Sequence, residues 1–538
     1  MPCRCVARRR LAGALCLLLL WTALSIDGPA ARAQGKPRPG NRTAQPPRLN
    51  LPPLKTPEDK LRLLETIRQT MSTTRIGGNI RYGSPDLDKS LESSIGLEAG
   101  RYAPIIGDEA FVRRVSLDLT GEPPSPRAIQ QFIADPDPRK RSRLIDELLE
   151  TEAYARKWAR YWRQVVLHNS PANRRRLNPQ ALEDWLTAQF HNNVPWDRIV
   201  AEMVSATPRR DPSKKDDYGQ NHGPNNFVLA YENKAPELAS QTARLFMGIS
   251  IGCAECHDHP FEDWKREQFH ELAAFFAPGR YRMADQHDPE KETVMQPVFL
   301  LGEKPPENMN ADARRVALAA YLIYNPDNYW FARAYVNRVW NELLGDGFYA
   351  VDSLGPDQDC VHKLVVNRIA AMFRYRNFDS KWLFRLAMNS RAYQRDIRPV
   401  ESPSELFTAM RPSRLRPDGV AASVKHVLNV PENLNRQIER TFAVDPSIPQ
   451  DDIEGSLQQA LLFMNNRELQ TRLANSELTK RLVAMKSNER MVDELYLGVL
   501  ARTPTESEQQ RAARHLRTVG NRQEAIEDLV WVLVNSTE

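Results

Sequence analysis

Residues 56–71 read TPEDKLRLLETIRQTM and begin like an α-helix. Thr56 has the hydroxyl group preferred at an N-cap, Pro57 fits the first helical position, and Glu58 and Asp59 place acidic groups in the first turn. Apolar residues then recur at positions 61, 64, 67 and 71, which is the spacing of one helix face. The stretch therefore predicts a helix that packs one side against a core.

The same helical spacing recurs along most of the chain, whereas alternating strand patterns are nearly absent. Helical runs are predicted at residues 111–119, 129–132, 143–154, 158–166, 237–246, 264–276, 314–324, 332–344, 382–388, 457–465 and 491–500. The sequence therefore predicts an all-α protein with two packed helical domains.

The N-terminus predicts export. Residues 1–33 combine several arginines, an apolar run at 11–24 and Ala31-Arg32-Ala33, which has the small residues of a signal-peptidase cleavage site. Together these features are typical of a cleaved signal peptide. The apolar run is shorter than the roughly 20 residues that span a bilayer, and no later window is as long, so no transmembrane segment is predicted. Residues 34–55 are rich in Pro, Arg and Gly and predict a disordered tether. We therefore expect an exported protein, periplasmic or extracellular.

Charge and cysteine content exclude two classes of protein. The leader carries five arginines and one aspartate, so its removal lowers the formal net charge from +6 to +2. No basic face remains beyond short runs such as residues 174–176, and we predict no nucleic-acid partner. Of six cysteines, Cys253, Cys256 and Cys360 lie outside the leader. Three cysteines in so long a chain do not form a disulfide scaffold.

Three segments describe the predicted domain organisation. Residues 56–285 contain the most specific motif of the chain and form the first predicted helical domain. Residues 286–310 contain several prolines and are predicted to be a linker. Residues 311–538 form the second predicted helical domain.

The sharpest functional pattern is Cys253-Ala254-Glu255-Cys256-His257, a C-x-x-C-H pentapeptide. In an exported protein this pattern is typical of covalent haem attachment. Each thiol adds to one vinyl group of the same porphyrin, and the next imidazole becomes the proximal ligand of the iron. Cys253, Cys256 and His257 are therefore candidate ligands of a c-type haem. His270 is the leading candidate for the far side of the iron, with Met283 and Met295 as alternatives.

Two other interpretations of the motif remain open. Cys253, Cys256, His257 and His259 together have the donor types of a tetrahedral zinc site, although the two histidines are closer in sequence than is usual. Alternatively, Cys253 and Cys256 form a disulfide, either structural or redox-active. Hydrogen bonding of His259 to Asp258 or Glu262 is as reasonable an expectation as ligation.

The remaining polar and aromatic patterns predict structure rather than chemistry. Asp352 belongs to an acidic loop without the spacing of an EF-hand, which favours a solvated loop over a calcium site. Asn337, Arg338 and Trp340 share one predicted helix and suggest a buried polar network. The aromatic residues at 158, 161 and 162 have helical spacing and are most simply core.

No pattern identifies catalytic residues. The chain lacks a zinc-protease motif and a phosphate-binding glycine loop, so enzymatic activity stays undecided. Two functions follow from the motif. One is electron transfer or redox sensing by a single haem with a redox or protein partner that the sequence does not identify. The other is a non-catalytic scaffold or interaction protein with a structural zinc ion.

Several long motifs resemble one family. VSLDLTGEPP at 115–124, VPWDR at 194–198 and CAECHDHPF at 253–261 resemble the planctomycete-type cytochrome-c-like family, a domain of unknown function. FARAYVNRVW at 331–340 and NSRAYQ at 389–394 resemble its usual C-terminal companion domain, also of unknown function. The resemblance covers roughly residues 100–535 and implies cytochrome-like chemistry. The chain departs from the pattern near residues 357–360, where relatives have an Asn-Pro-Pro loop.

Overall fold

The first helix is built as its sequence predicts. Helix α1, Pro57–Thr70, begins with a reciprocal cap, because the Asp59 amide donates to Thr56 Oγ1 at 3.2 Å and the Thr56 amide donates to Asp59 Oδ2 at 3.0 Å. Leu64 and Ile67 on its apolar face are buried. Two otherwise unpaired amides are satisfied by this cap, which fixes where the helix starts.

The structure is a computed structural model that describes residues 54, 56–71, 81–96, 101–172, 174–210, 213, 217–288, 290–355, 358, 360, 362–400 and 405–536. The predicted signal peptide and all of the predicted tether except Leu54 lie outside the described residues. Within the described residues, no helix combines the length and apolar composition needed to cross a bilayer.

The predicted all-α class is confirmed. In the first part of the chain the further helices are α2 Ser84–Ile95, α3 Asp108–Thr120, α4 Pro126–Ala134, α5 Lys140–Leu149, α6 Glu152–Leu167, α7 Pro179–His191, α8 Trp196–Val204, α9 Asn225–Ala230, α10 Ala235–Met247 and α11 Arg266–Ala273. Short 3-10 turns occur at Arg174–Arg176, Gly252–Glu255 and Gln450–Asp452.

The second part is also helical. Its helices are α12 Ala311–Tyr324, α13 Trp330–Leu344, α14 Lys363–Tyr375, α15 Ser380–Met388, α16 Arg391–Gln394, α17 Pro417–Leu428, α18 Glu432–Thr441, α19 Leu457–Asn465, α20 Arg467–Asn475, α21 Glu477–Ala484, α22 Asn488–Leu500, α23 Glu506–Val519 and α24 Arg522–Val534.

One small sheet interrupts the helices. Strands β1, Tyr281–Ala284, and β2, Glu292–Met295, pair antiparallel with Tyr281 opposite Met295. The sequence pattern did not predict this hairpin. Strand β2 lies inside the predicted linker at 286–310, so that this segment contains ordered secondary structure.

Buried apolar residues in the described ranges form two cores. The larger core contains residues from 54 to 410, with Leu497 and Ala501, and therefore includes side chains from both sides of the predicted linker. The smaller core contains residues from 421 to 533. The predicted domain limits 56–285, 286–310 and 311–538 stay predictions, whereas the two packed cores divide between residues 410 and 421.

An aromatic cluster joins the two halves inside the larger core. Trp162 on α6 lies 4.3 Å from Trp196 on α8 and stacks at 5.8 Å on Tyr335 of α13, measured between ring centroids. The predicted core role of Trp158, Tyr161 and Trp162 is confirmed, because all three are buried. Such aromatic pairs stabilise packing beyond the area that they bury. The cluster is thus a structural connection between the halves.

A buried histidine connects α2 to the start of α14. We expect this residue to make the stability of the fold depend on pH. His362 lies next to Ser94, with 2.9 Å between Nδ1 and Oγ, and burial lowers the pKa of His362. Below the unfolded pKa of about 6.5, the unfolded chain takes up a proton that the folded chain resists, so stability falls as the pH falls. For each unit by which the pH falls, the free energy of unfolding of His362→Gln should decrease by up to about 1.4 kcal/mol less than that of the wild type.

Urea unfolding at about pH 7.5 and about pH 5.5 measures this difference. The matched control is Leu364→Gln, because Leu364 is 83% exposed on α14 and carries no ionisable group. We expect the control to keep the wild-type slope. An equal slope for His362→Gln and the wild type would contradict the assignment.

Candidate functional site

The C-x-x-C-H motif forms a surface turn directly after a buried helix. Helix α10 ends at Gly248, whose φ of 67° is left-handed, and the chain then enters the 3-10 turn Gly252–Glu255. Cys253 and Cys256 are free thiols, and both are exposed. Because a 3-10 turn has three residues per turn, side chains three positions apart project from the same side. Cys253 lies in the turn and Cys256 is the residue directly after it, so this spacing would bring the two thiols toward one side.

One ring nitrogen of His257 makes a hydrogen bond, and the other has a lone pair that could bind a metal. Its Nδ1 lies 2.7 Å from the carbonyl oxygen of Asp258, which can only accept, so Nδ1 carries the proton. The lone pair of the neutral ring is then on Nε2. Metal-binding histidines commonly donate their second ring N–H to a carbonyl in this way. His257 is therefore arranged to bind a metal through Nε2.

The ring of His259 is hydrogen-bonded within its own turn. Its Nδ1 accepts from the amide of Glu262 at 3.0 Å and from the amide of Phe261 at 3.3 Å. In the neutral ring the proton is then on Nε2, so neither nitrogen has an unused lone pair. The expected hydrogen bond to Glu262 is present, through its backbone. Among the described residues, no three His, Cys, Asp or Glu side chains gather closely enough to hold a metal ion.

The ring of His270 supports the motif from beneath. His270 lies on α11 and is buried, with Nε2 donating to the carbonyl of Glu255 at 3.0 Å. Its Nδ1 lies 2.9 Å from the hydroxyl of Tyr281 on β1. Burial raises the pKa of Tyr281 to about 12, so that this hydroxyl keeps its proton and donates it. Binding of His270 to iron would require one of these two bonds to break.

The two candidate methionines lie on the same hairpin. Met283 on β1 and Met295 on β2 are both half-buried, and Met295 lies opposite Tyr281 in the register. A second contact holds the hairpin against the motif, because Arg266 donates to the carbonyl oxygens of Ala284 at 2.7 Å and Glu255 at 3.3 Å. The hairpin therefore forms one wall beside the motif turn.

A loop from the second half holds the chain just before the motif. The amide of Leu354 donates to the carbonyl of Gly248 at 2.7 Å, and Ser250 Oγ donates to the carbonyl of Asp352 at 3.0 Å. Gly248 must lack a side chain, because an added Cβ would lie 2.6 Å from Leu354 Cδ1. The loop and the end of α10 are therefore closely packed.

The carboxylate of Asp352 anchors this loop to a buried charge network. Arg338 on α13 binds Oδ1 at 2.5 Å, while Arg244 on α10 and Ser447 bind Oδ2 at 2.8 and 2.7 Å. The Asp352 side chain is only 10% exposed, so the expectation of a solvated acidic loop is wrong for this residue. Two buried guanidinium groups compensate its charge, which is the arrangement that a buried carboxylate requires.

The predicted buried network on α13 is confirmed in part. Arg338 binds Asp352, and Asn337 Nδ2 donates to the carbonyl of Tyr349 at 2.9 Å. Trp340 is buried but its indole N–H has no hydrogen-bond partner, so that it contributes packing against Phe348 instead.

The same loop also contacts the chain just after the motif. Gly355 lies against the carboxylate of Glu262, where an added Cβ would come within 2.2 Å of Oε1. Glu262 Oε2 accepts from the indole of Trp264 at 2.8 Å, and its Oε1 accepts from Gln358 at 3.3 Å. Asp352 and Leu354 therefore hold the chain before the motif, and Gly355 and Gln358 contact the chain after it. Sequence analysis missed this role, since Gly355 and Glu262 belong to no recognisable motif.

The motif is open to solvent on its outer side. Neither of the two described cavities, of about 600 and about 350 Å³, is lined by any residue of 253–261. The side chain of Phe261 is 86% exposed next to His259. The donor types at the turn, two exposed thiols and one imidazole nitrogen, are those that covalent haem attachment requires.

Comparison with known proteins identifies two domains. Residues 86–281 match the family model PSCyt2, described as protein of unknown function (DUF1549). Residues 314–454 match the family model PSD1, described as protein of unknown function (DUF1553). No curated protein and no solved structure matches the chain. The matches leave residues 282–313 between them, which include the predicted linker. The chain therefore carries a PSCyt2 domain followed by a PSD1 domain, the planctomycete-type pairing of two domains of unknown function.

Proposed function

We propose that this protein is exported and carries one covalently attached haem, for electron transfer or redox sensing. Cys253 and Cys256 would form the two thioethers, and His257 would bind the iron through Nε2. The observation that supports the proposal most is the tautomer of His257, whose Nδ1–H is held by the carbonyl of Asp258. When bound, haem supplies a one-electron redox couple. Export is supported by the N-terminal sequence alone.

The protein's own residues would orient the haem rather than change its chemistry. Cys253 lies in the 3-10 turn and Cys256 directly follows it. His270 would steady the backbone between them through its hydrogen bond to the carbonyl of Glu255. The loop containing Asp352 and Gly355 holds the turn from both flanks. Supporting contacts of this kind limit the movement of metal ligands. We propose that positioning of the motif is one role of the PSD1 domain.

The test is an absorption spectrum of the full chain made with its own leader in a host that attaches haem to exported proteins. We expect a Soret band that stays with the protein after acid–acetone extraction, because thioether bonds survive that treatment. A protein without a Soret band but with stoichiometric zinc would contradict the proposal and favour the scaffold with a structural metal.

The two motif histidines should behave differently when replaced. We expect His257→Ala to lose the spectrum of histidine-ligated iron, because its Nε2 is the proposed ligand. His259→Ala is the matched control, because it removes only the ring that accepts from the amides of Phe261 and Glu262. The control should keep the ligated spectrum. Loss of that spectrum in His259→Ala, with its retention in His257→Ala, would reverse the assignment.

A further inference from the structure

Helix α19 is apolar on two sides although it lies at the surface. Leu462 and Phe463 face inward and belong to the smaller core. On the other side, Leu457, Leu461 and Met464 are 71%, 44% and 58% exposed. Their spacing of four and three residues places them in one stripe along the helix. The helix also carries Gln458, Gln459 and Asn465, so that its exposed apolar side chains are confined to this stripe. An exposed apolar stripe of this kind is a candidate contact surface.

The stripe itself carries no charge, because residues 455–466 contain no ionisable side chain. Glu454 precedes the helix, Arg467 follows it, and both are exposed. Arg414 lies beside Gly455, and Glu468 follows Arg467, so that each end carries charges of both signs. The helix lies outside both segments that match a family model.

We propose that the α19 stripe is a self-association surface and that its partner is α19 of a second copy, packed antiparallel around a two-fold axis. In that pairing Leu457 lies opposite Met464 of the second copy, and the small Ala460 lies opposite Leu461. Glu454 and Arg467 of one copy then meet Arg467 and Glu454 of the other. A two-fold interface requires such self-complementarity, since each contact occurs twice.

The charges favour a second copy over a lipid surface. A helix that lies on an anionic membrane has cations along its polar face, whereas the ends of this stripe carry acidic as well as basic side chains. The stripe is only one short helix long, which is small for a permanent interface. The resulting dimer is therefore weak and reversible. The proposal is independent of haem attachment.

The first test is sedimentation equilibrium of the full chain over a range of concentrations. The wild type should show a concentration-dependent monomer–dimer equilibrium. Leu461→Gln should weaken association roughly tenfold or more, because it places a polar amide in the apolar contact. Val532→Gln is the matched control, because Val532 is 53% exposed on α24 and lies outside the stripe. The control should associate like the wild type.

The second test uses charge reversal and does not depend on apolar burial. Glu454→Arg and Arg467→Glu should each be monomeric alone, because both end contacts then join like charges. An equimolar mixture of the two variants should form a mixed dimer, because each end contact again joins opposite charges. A parallel or unrelated contact would not produce this rescue. The mixing result therefore tests the antiparallel register itself.

Three results would overturn the proposal. The first is a wild type that stays monomeric at every soluble concentration. The second is association that is unaffected by Leu461→Gln. The third is binding of the monomeric wild type to phosphatidylcholine vesicles that Leu461→Gln abolishes, which would assign the stripe to a membrane surface.

Discussion

Replacement of Asp352 by alanine is expected to lower the free energy of unfolding by about 3–5 kcal/mol. The change leaves the buried guanidinium groups of Arg338 and Arg244 without their shared carboxylate and removes the acceptor of Ser447. Asp352 also has a φ of 66°, a left-handed conformation that alanine tolerates less well than aspartate. Chemical denaturation followed by tryptophan fluorescence measures the loss.

Two variants separate the buried charge from other effects. Asp352→Asn retains an acceptor and suits the left-handed backbone, so we expect a smaller loss than for alanine. Asp146→Ala is the matched control, because Asp146 binds Arg385 at 2.6 Å in an exposed pair. Exposed pairs contribute about 0–1 kcal/mol. If Asp352→Ala cost no more than this control, the buried network would not stabilise the fold as described.

Replacement of both motif cysteines is expected to abolish covalent haem attachment. Cys253→Ala with Cys256→Ala removes both sulfur atoms that could form thioethers, so no Soret absorbance should stay with the protein after acid–acetone extraction. Cys256→Ala alone should abolish or markedly alter the spectrum, because at most one thioether then remains. The measurement is the absorption spectrum of extracted protein, normalised to protein concentration.

The third cysteine provides the matched control. Cys360 lies outside the motif, half-buried, and burial raises the pKa of its thiol. Cys360→Ala should therefore keep the covalent haem of the wild type. An unchanged spectrum in the double motif variant, or its loss in Cys360→Ala alone, would show that haem is attached elsewhere or not at all.

Local chemistry was sufficient to predict helices such as α1, α6 and α13, whereas no run was predicted for α2, α7 or α14. The Thr56 cap and the apolar spacing that follows specify α1 without reference to the rest of the chain. The aromatic residues of α6 were also predicted correctly as core. The hairpin of β1 and β2 was missed, because strands of four residues are too short to show a clear alternation.

The candidate site could be located from the sequence but not assembled. C-x-x-C-H identifies Cys253, Cys256 and His257, because the chemistry is contained in five consecutive residues. The role of His259 depends on the direction of two backbone amides in one turn, which no residue pattern specifies. The partners of Asp352 are far apart in sequence, and only tertiary packing distinguishes this residue from a solvated acid.

The most direct test of the proposed function is the mass of one peptide. Trypsin should release residues 245–265, which contain both motif cysteines and His257, and residues 339–363, which contain Cys360. In protein matured with haem, we predict that peptide 245–265 carries the added mass of one haem and that peptide 339–363 is unmodified. Peptide 245–265 with two free, alkylatable thiols, from cells that mature another c-type cytochrome normally, would contradict the account.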